Sequence, residues 1–251
     1  MTLSISARCP ESGQLGIAIS SSSMAVGSRC PWLLPGVGAV ASQNITLPSL
    51  GPQILSALEA GASVEQALKQ ALAEDRFREY RQVAAIDANG DTAVFSGEFT
   101  LGIGGALAGG NCVAAGNMLA SQGVIAAMVG AFEAATGELT SRLLAGLRAG
   151  IVAGGEAGPV HSAAVKVVDD YPWPVVDLRI DWAEADPLAA LEQLWLAWEM
   201  TGKAHYRDAA ERYLPSFARR IEQRIDTATH DLGFLYSLSC ISAWRLTGNE
   251  A

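Results

Sequence analysis

The segment TLSISA, residues 2–7, is the part of the chain from which its architecture is most readily inferred. Hydroxyl-bearing residues alternate with apolar ones over its whole length, and this period of two is typical of a strand with one apolar face. Turn-forming residues follow at 10–13, and residues 14–20 form a second strand-like segment. Together the two segments predict a β-hairpin at the N-terminus of this sequence.

A third strand and a first pair of helices are predicted next. Residues 36–42 have the composition of a strand, and the proline-containing stretch 31–35 before them predicts a turn. Beyond Pro48, apolar residues recur at intervals of three and four, which predicts two helices. Ser63, with Gln66 three positions later, predicts a capping box at the start of the second helix.

The middle of the chain repeats this layout of strands followed by helices. The dipeptide 89–90, Asn-Gly, lies between two strand-like segments and predicts a hairpin, because both residues tolerate positive φ. The glycine-rich stretch 102–110 predicts a loop. The elements predicted after it are a strand, two helices and a last pair of strands, at 111–116, 122–135, 138–152, 161–168 and 175–182. Because strands and helices arrive in batches, the pattern favours an α+β fold over a ferredoxin-like or doubly wound sheet. A four-layer αββα sandwich over residues 1–183 accommodates the count of about eight strands and two helix pairs.

Residues 184–251 are predicted to form a helical extension, since the pattern after Pro187 is helical throughout. The motif Trp-x-x-Thr-Gly occurs there twice, at Trp198 and Trp244, and each copy places a glycine just past a predicted helix end. This echo resembles the helix-pair repeats of α/α-toroid and solenoid proteins, which usually need three or more copies to bury a core. Packing on the sandwich or on a neighbouring subunit is the favoured role, and peptide or glycan binding is the alternative.

Composition excludes several functional classes. The 251 residues carry a formal net charge of −9, and the basic residues form no cluster beyond Arg219 and Arg220, which argues against nucleic-acid binding. Mean hydropathy is +0.22, yet no stretch approaches the ~18–20 apolar residues of a membrane span. No secretory signal is visible, so we expect a cytoplasmic protein, with some apolar surface buried in a homo-oligomer.

Neither a metal nor another cofactor is predicted. The four cysteines are widely spaced, which argues against zinc sites of the Cys-x-x-Cys kind and against a disulfide scaffold, and favours buried thiols. No cluster of histidine, cysteine and carboxylate has the spacing of a metal site.

Motifs spread over residues 1–195 resemble the bacterial family catalogued as domain of unknown function 1028. These motifs lie at residues 2–8, 25–27, 36–43, 48–51, 116–120, 154–156, 162–164 and 177–181. That family is placed in the N-terminal-nucleophile (Ntn) hydrolase superfamily, which implies two stacked antiparallel sheets between helical layers. The resemblance implies no particular substrate, because the activity of the family is unassigned.

Thr2 is the principal catalytic candidate. In an Ntn hydrolase the first residue of the processed chain is the nucleophile, and its own α-amine is the general base. An α-amine suits this role because its pKa of ~7.7–8.0 leaves it partly neutral near working pH. Methionine aminopeptidase accepts a small second residue, so removal of Met1 would expose this amine, whereas retention of Met1 would block the mechanism. The resemblance thus implies hydrolysis of an amide C–N bond in a small molecule or peptide.

Other readings of these residues remain open. Thr2 is also a β-branched residue of the kind that strands favour for structural reasons alone. Ser4 lies on the same face and is the alternative nucleophile, and a serine hydrolase that uses Ser4 or Ser21 is a further possibility. The histidines at 161, 205 and 230 are scattered, and no Gly-x-Ser-x-Gly motif is present to support a Ser-His-Asp triad.

Polar residues at the predicted strand ends complete the candidate site. We assign a catalytic role to Asn44 beside Thr2 and Ser4, and a substrate-binding role to Ser21, Ser23, Gln43 and Asn117. Amide side chains can donate hydrogen bonds to a developing oxyanion, where loss of one donor costs about 2.7–4 kcal/mol. The same residue types also cap loops. The competing hypothesis is therefore a catalytically silent ligand-binding or scaffold protein whose C-terminal helices mediate assembly.

Overall fold

The computed structural model of the protein describes residues 1–199. The chain divides into two compact units, Met1–Glu192 and Gln193–Ala251. The second unit lies almost wholly outside the described residues, and so do the second Trp-x-x-Thr-Gly motif, His205 and His230. The predicted helical extension and its boundary at residue 184 therefore stay predictions.

The first unit is an α+β fold with two antiparallel sheets. The strands are β1 Thr2–Arg8, β2 Leu15–Ser21, β3 Pro31–Leu34, β4 Gly38–Asn44, β5 Arg81–Asp87, β6 Thr92–Ser96, β7 Gly105–Gly109, β8 Cys112–Asn117, β9 Ser162–Val168 and β10 Pro174–Ile180. The helices described in the chain are α1 Leu50–Glu59, α2 Val64–Ala73, α3 Gly123–Ala134, α4 Leu139–Val152 and α5 Pro187–Glu199. Both predicted hairpins, both predicted helix pairs and the capping box at Ser63 are confirmed.

Strand β1 lies inside the larger sheet. The strand order is β10-β9-β2-β1-β8-β7 in this sheet and β3-β4-β5-β6 in the smaller one. Thr2 lies opposite Asn117 of β8, and Leu3 lies opposite Ser20 of β2. The antiparallel register therefore brings the start of β1 to the ends of both neighbouring strands.

The alternation in residues 2–7 separates two environments. Leu3 and Ile5 point to α4, where a Cβ on Gly150 or Gly146 would lie 3.1 and 3.2 Å from their Cδ1 atoms. Thr2, Ser4 and Ser6 lie on the opposite face of the strand, toward the smaller sheet. The helix contact explains why the apolar half of this alternation is fully buried.

Apolar residues fill two further layers around the smaller sheet. On one face, Val40 and Val83 form a cluster with Leu50, Ile54 and Leu68 of α1 and α2. On the other face, side chains from both sheets form what we call the inter-sheet cluster, whose strand members are Leu15, Ile17, Ile19, Ala39, Ala84, Ile86, Val113, Ala115, Ala164 and Val168. The two sheets therefore pack face to face through this cluster.

Two strands contradict the sequence prediction, so residues 1–199 form ten strands where about eight were expected. The predicted turn at 31–35 contains β3, an edge strand whose first residue is Pro31, a place where a missing N–H is tolerated. Helix α1 covers the Trp32 side chain of this strand, because a Cβ on Gly51 would lie 2.2 Å from the Trp32 Cγ atom. The predicted loop at 102–110 contains β7, an edge strand whose small residues show no alternation and which pairs with β8 through its backbone.

Within residues 1–199, no helix has both the length and the apolarity to cross a bilayer. The cysteines of this part of the chain are free thiols, and Cys30 and Cys112 are buried as predicted, whereas Cys9 is partly exposed.

Candidate active site

Thr2 begins β1 and is almost fully buried. Its hydroxyl donates a hydrogen bond of 2.6 Å to the carbonyl oxygen of Met1. The hydroxyl of Ser21, at the end of β2, donates to the same carbonyl oxygen and lies 3.3 Å from the Thr2 hydroxyl. Two hydroxyls therefore converge on a single carbonyl, the geometry that polarises a carbonyl group.

The polar chain continues from Ser21 to the protein surface. The hydroxyls of Ser21 and Ser23 are 2.8 Å apart, and the guanidinium of Arg29 donates to the Ser23 hydroxyl. The structure thus brings together Thr2, Ser21 and Ser23, three of the predicted site residues. Arg29, which sequence reasoning did not select, supplies the positive charge at the outer end.

A second polar group, the amide cluster, lies between the sheets and consists of Ser4, Gln43, Gln82 and Asn117. The Ser4 hydroxyl donates a hydrogen bond of 2.8 Å to Oε1 of the Gln43 side chain. The side-chain amides of Gln43 and Asn117 both donate to Oε1 of Gln82, at 2.8 and 3.0 Å. All four side chains are buried, so the cluster links the larger sheet to the smaller one by hydrogen bonds that water does not reach.

Gln82 holds this cluster together, although the sequence analysis did not single it out. Its Nε2 donates to the Gly116 carbonyl at 2.9 Å and to the Ser96 hydroxyl at 3.1 Å. In the sequence, its only distinguishing feature was its position at the second residue of a strand. The structure places it opposite Gln43 in register. Ser4 contacts a neutral amide that cannot accept its proton, so the structure supplies no general base at that hydroxyl.

Asn117 has one polar atom that no protein group satisfies. Its Oδ1 atom is buried and without a hydrogen-bond partner. Because Asn117 is paired with Thr2 across the ladder, its side chain lies on the same face of the sheet as the Thr2 hydroxyl. An unsatisfied acceptor in this position fits a donor that binds beside Thr2.

Glu156 is a further buried acidic residue near the N-terminus of the chain. Its Oε2 atom accepts a hydrogen bond of 3.1 Å from the Ser22 backbone N–H, and its Oε1 atom has no partner. Burial raises the pKa of this carboxyl to about 7, although the charge of the Met1 amine and the Ser22 hydrogen bond act in the opposite direction. The motif at 154–156, quoted above for the family resemblance, contained the signal for this residue.

The Asn44 side chain hydrogen-bonds to neighbouring loops and to neither of these polar groups. Asn44 has a φ of 71° at the end of β4, and its side chain bonds to the Tyr80 carbonyl at 2.6 Å and the Leu101 N–H at 3.3 Å. Its polar atoms are therefore engaged in joining loops to the strand end. His161, for its part, stacks on Trp182 with ring centroids 4.2 Å apart.

In the part of the chain that the structure describes, no three histidine, cysteine or acidic side chains are grouped so that they could hold a metal ion.

Comparison with known proteins confirms the resemblance seen in the sequence. The sequence profile of DUF1028, described as a family of unknown function, matches residues 2–191. A crystal structure of a DUF1028 protein from Silicibacter pomeroyi has 36% sequence identity and a TM-score of 0.74, and the match covers 80% of this chain and 86% of that chain. Anbu (ancestral beta-subunit) from Yersinia bercovieri has 12% identity and a TM-score of 0.40 over 81% of this chain and 97% of that chain.

A curated relative of another kind matches a short segment. The unsaturated glucuronyl hydrolase of Bacillus sp. (strain GL1) is 41% identical over 58 residues, which are 23% of this chain. The matched segment spans only 15% of the length of that relative.

Proposed function

This chain belongs to DUF1028, a family of unknown function, and we propose that it is an Ntn-type amidohydrolase that cleaves an amide C–N bond in a small molecule or peptide. Two facing sheets with helices on their outer sides support a four-layer αββα sandwich for the first unit. The observation that carries the proposal is the convergence of the Thr2 and Ser21 hydroxyls on one carbonyl oxygen at the start of a strand.

Removal of Met1 would complete the catalytic group. While Met1 is attached, the Thr2 nitrogen belongs to a peptide bond and cannot accept a proton. Cleavage before Thr2 turns that nitrogen into an α-amine next to the Thr2 hydroxyl, with a pKa of ~7.7–8.0 that suits a general base. The unsatisfied Oδ1 of Asn117 supports a hydrogen bond that would orient this amine.

The reaction then has two steps. The Thr2 hydroxyl oxygen attacks the substrate carbonyl carbon as its proton moves to the Thr2 amine, the C–N bond breaks, and the leaving nitrogen takes that proton. Water hydrolyses the resulting ester, and its proton passes through the amine back to the Thr2 oxygen. The Ser21 hydroxyl, supported by Ser23 and Arg29, would stabilise the oxyanion, a contact worth about 2.7–4 kcal/mol.

The predicted residues outside this step have supporting roles in the proposal. Ser4 fixes Gln43, and through it the amide cluster that holds Asn117 opposite Thr2. Asn44 fixes the end of β4 to the neighbouring loops.

The test compares protein whose first residue is Thr2, released from a fusion by cleavage before it, with protein that retains Met1. Intact mass defines each N-terminus, and release of amine from a panel of amides and peptides measures activity. We expect activity only in the Thr2-first protein, with a loss of at least about a thousandfold in its Thr2→Ala variant. Thr92→Ala, on β6, is the matched control. Equal activity with Met1 retained, or full activity in Thr2→Ala, would contradict the proposal.

The alternative is a catalytically silent binding protein that forms a homo-oligomer through its C-terminal helices. The short likeness to a glucuronyl hydrolase favours a glycan fragment as the ligand. Truncation after Glu192 should then reduce the number of subunits measured by light scattering. An unchanged subunit number would count against assembly through these helices.

A further inference from the structure

We propose that the space filled by Met1 is an aminoacyl subsite, which selects substrates with a free α-amino group and a side chain up to methionine in length. This inference rests on the proposed function and names its substrate class: amides of such amino acids, or peptides that begin with one. The carbonyl and the side chain of Met1 each contact a matching group of the protein, and the charge of its amine acts on the carboxyl of Glu156 without an ion pair between the two.

The carbonyl of Met1 marks the position of the scissile carbonyl. It accepts hydrogen bonds from the Thr2 and Ser21 hydroxyls, the first of which is the proposed nucleophile. When Met1 leaves, these donors lose their acceptor; a substrate carbonyl would restore the hydrogen bond from Ser21, while the Thr2 oxygen, whose proton passes to the Thr2 amine, attacks the carbonyl carbon.

The side chain of Met1 marks the side-chain pocket. It packs against Gly158, where a Cβ would lie 3.1 Å from the Met1 Cε atom and 3.7 Å from its sulfur. The φ of Gly158 does not fall in the left-handed region, so the backbone does not require a glycine there. Glycine at this position therefore leaves room for the end of a flexible side chain of methionine length, and a side chain at residue 158 would shorten that space.

The amine of Met1 marks the position of an ammonium group. The buried carboxyl of Glu156 has one oxygen bound to Ser22 and one without a partner, and the charge of the Met1 amine acts on it. A buried carboxylate with a free acceptor favours a cationic hydrogen-bond donor. A substrate α-ammonium would supply that donor, whereas an N-acylated substrate would not.

The chemistry of the subsite follows the proposed reaction. The C–N bond on the carboxyl side of the aminoacyl group breaks, the leaving amine takes the proton from the Thr2 amine, and water releases the free amino acid. The substrate ammonium stays protonated at Glu156 and exchanges no proton in either step.

The experiment measures binding separately from turnover. The protein used begins at residue 2 and carries Thr2→Ala, so that it lacks the nucleophile. Calorimetry compares its affinities for methioninamide and N-acetylmethioninamide. We expect methioninamide to bind at least about tenfold more tightly, and Glu156→Gln, which still accepts the Ser22 hydrogen bond, to bring that ratio close to one.

Gly158→Val tests the side-chain pocket. It should weaken the binding of methioninamide about tenfold and the binding of glycinamide much less. Gly158→Ala is a milder variant, to be used if the valine impairs folding. Gly130→Ala, on the exposed side of α3, is the control.

The outcomes separate this inference from the function on which it rests. Equal or tighter binding of the N-acetylated amide, no measurable binding of methioninamide, or an unchanged ratio in Glu156→Gln would overturn the subsite. Turnover of blocked amides alone by protein with an intact Thr2 would also overturn it, while leaving the amidohydrolase proposal in place. Selective binding without any turnover in that protein would instead refute the amidohydrolase proposal and retain the aminoacyl site.

Discussion

The space between the two sheets is filled in two contrasting ways. On the inner face of β5, Gln82 belongs to the amide cluster, and Ile86, four residues further on, belongs to the inter-sheet cluster. Both side chains are completely buried. The apolar end contributes stability through burial alone, whereas the polar end depends on every hydrogen bond being made. The end of the two packed sheets near Thr2 therefore holds polar groups in fixed positions, whereas the other end contributes apolar packing.

The largest expected effect is that of Gln82→Leu. The change leaves the amide donors of Gln43 and Asn117 buried without an acceptor, and each such donor costs about 1–3 kcal/mol, so we expect a loss of about 4 kcal/mol in the free energy of unfolding. Urea denaturation measures this loss. Gln53→Leu, at an exposed position of α1, is the control and should change stability by less than about 0.5 kcal/mol. A loss below about 1 kcal/mol would show that the cluster does not join the sheets.

Ile86→Ala tests the apolar end of the same strand face. Removing three carbons from a closely packed core should cost about 3 kcal/mol. Ile86 belongs to the inter-sheet cluster and not to the amide cluster. Ile86→Ala should therefore leave the activity per folded molecule unchanged, whereas Gln82→Leu should lower it. Unfolding curves of both variants, and activity assays at urea concentrations below their unfolding transitions, provide the comparison. An equal loss of specific activity in both variants would show that the two ends of the strand do not differ in function.

Glu156→Gln tests the cost of burying an acid at the polar end. The pKa of this carboxyl in the folded state is about 7, above its ordinary value of 4.5, so the folded protein binds the proton more tightly than the unfolded chain does. The contribution of Glu156 to stability is therefore greatest below pH 4.5, falls as pH rises toward 7, and stays low above that.

The variant lacks this ionisation, so in protein that retains Met1 it should be more stable than wild type by about 3 kcal/mol at pH 8 and nearly equal to it at pH 4.5. Urea unfolding at the two pH values measures the difference. A stability difference that does not change with pH would show that Glu156 is not the titrating group.

The smallest effects distinguish Ser4 from Ser6 on β1. The Ser4 hydroxyl is hydrogen-bonded to Gln43, whereas the buried Ser6 hydroxyl has no partner. Ser4→Ala should therefore cost about 1–2 kcal/mol, and Ser6→Ala should be neutral or stabilising by up to about 1 kcal/mol. Thermal unfolding measures both, and a destabilised Ser6→Ala protein would place Ser6 in the polar network as well.

Several parts of the fold could be predicted because their signals are local. The alternation at 2–7, the turn at 89–90 and the capping box at Ser63 each depend on residues within one element. Strands β3 and β7 could not be predicted, because both are edge strands without an alternating side-chain pattern, and each is defined by backbone pairing with the strand that follows it. Asn44 shows the same limit for function: its strand-end position was predicted, but the loops that occupy its side chain were not.

Periodicity and motif order are properties of the chain alone, so they were enough to predict which face of each main strand is apolar, where the helix pairs begin and which family the chain belongs to. Which polar residues meet depends on how the strands pair and how the two sheets pack. The antiparallel register places Asn117 and Ser21 beside Thr2, and the stacking of two sheets places Gln82 between Gln43 and Asn117. The physical reason is that a buried polar group must find its partner in space, and the hydrogen-bonded partners among these residues lie 19 to 39 residues apart in the sequence.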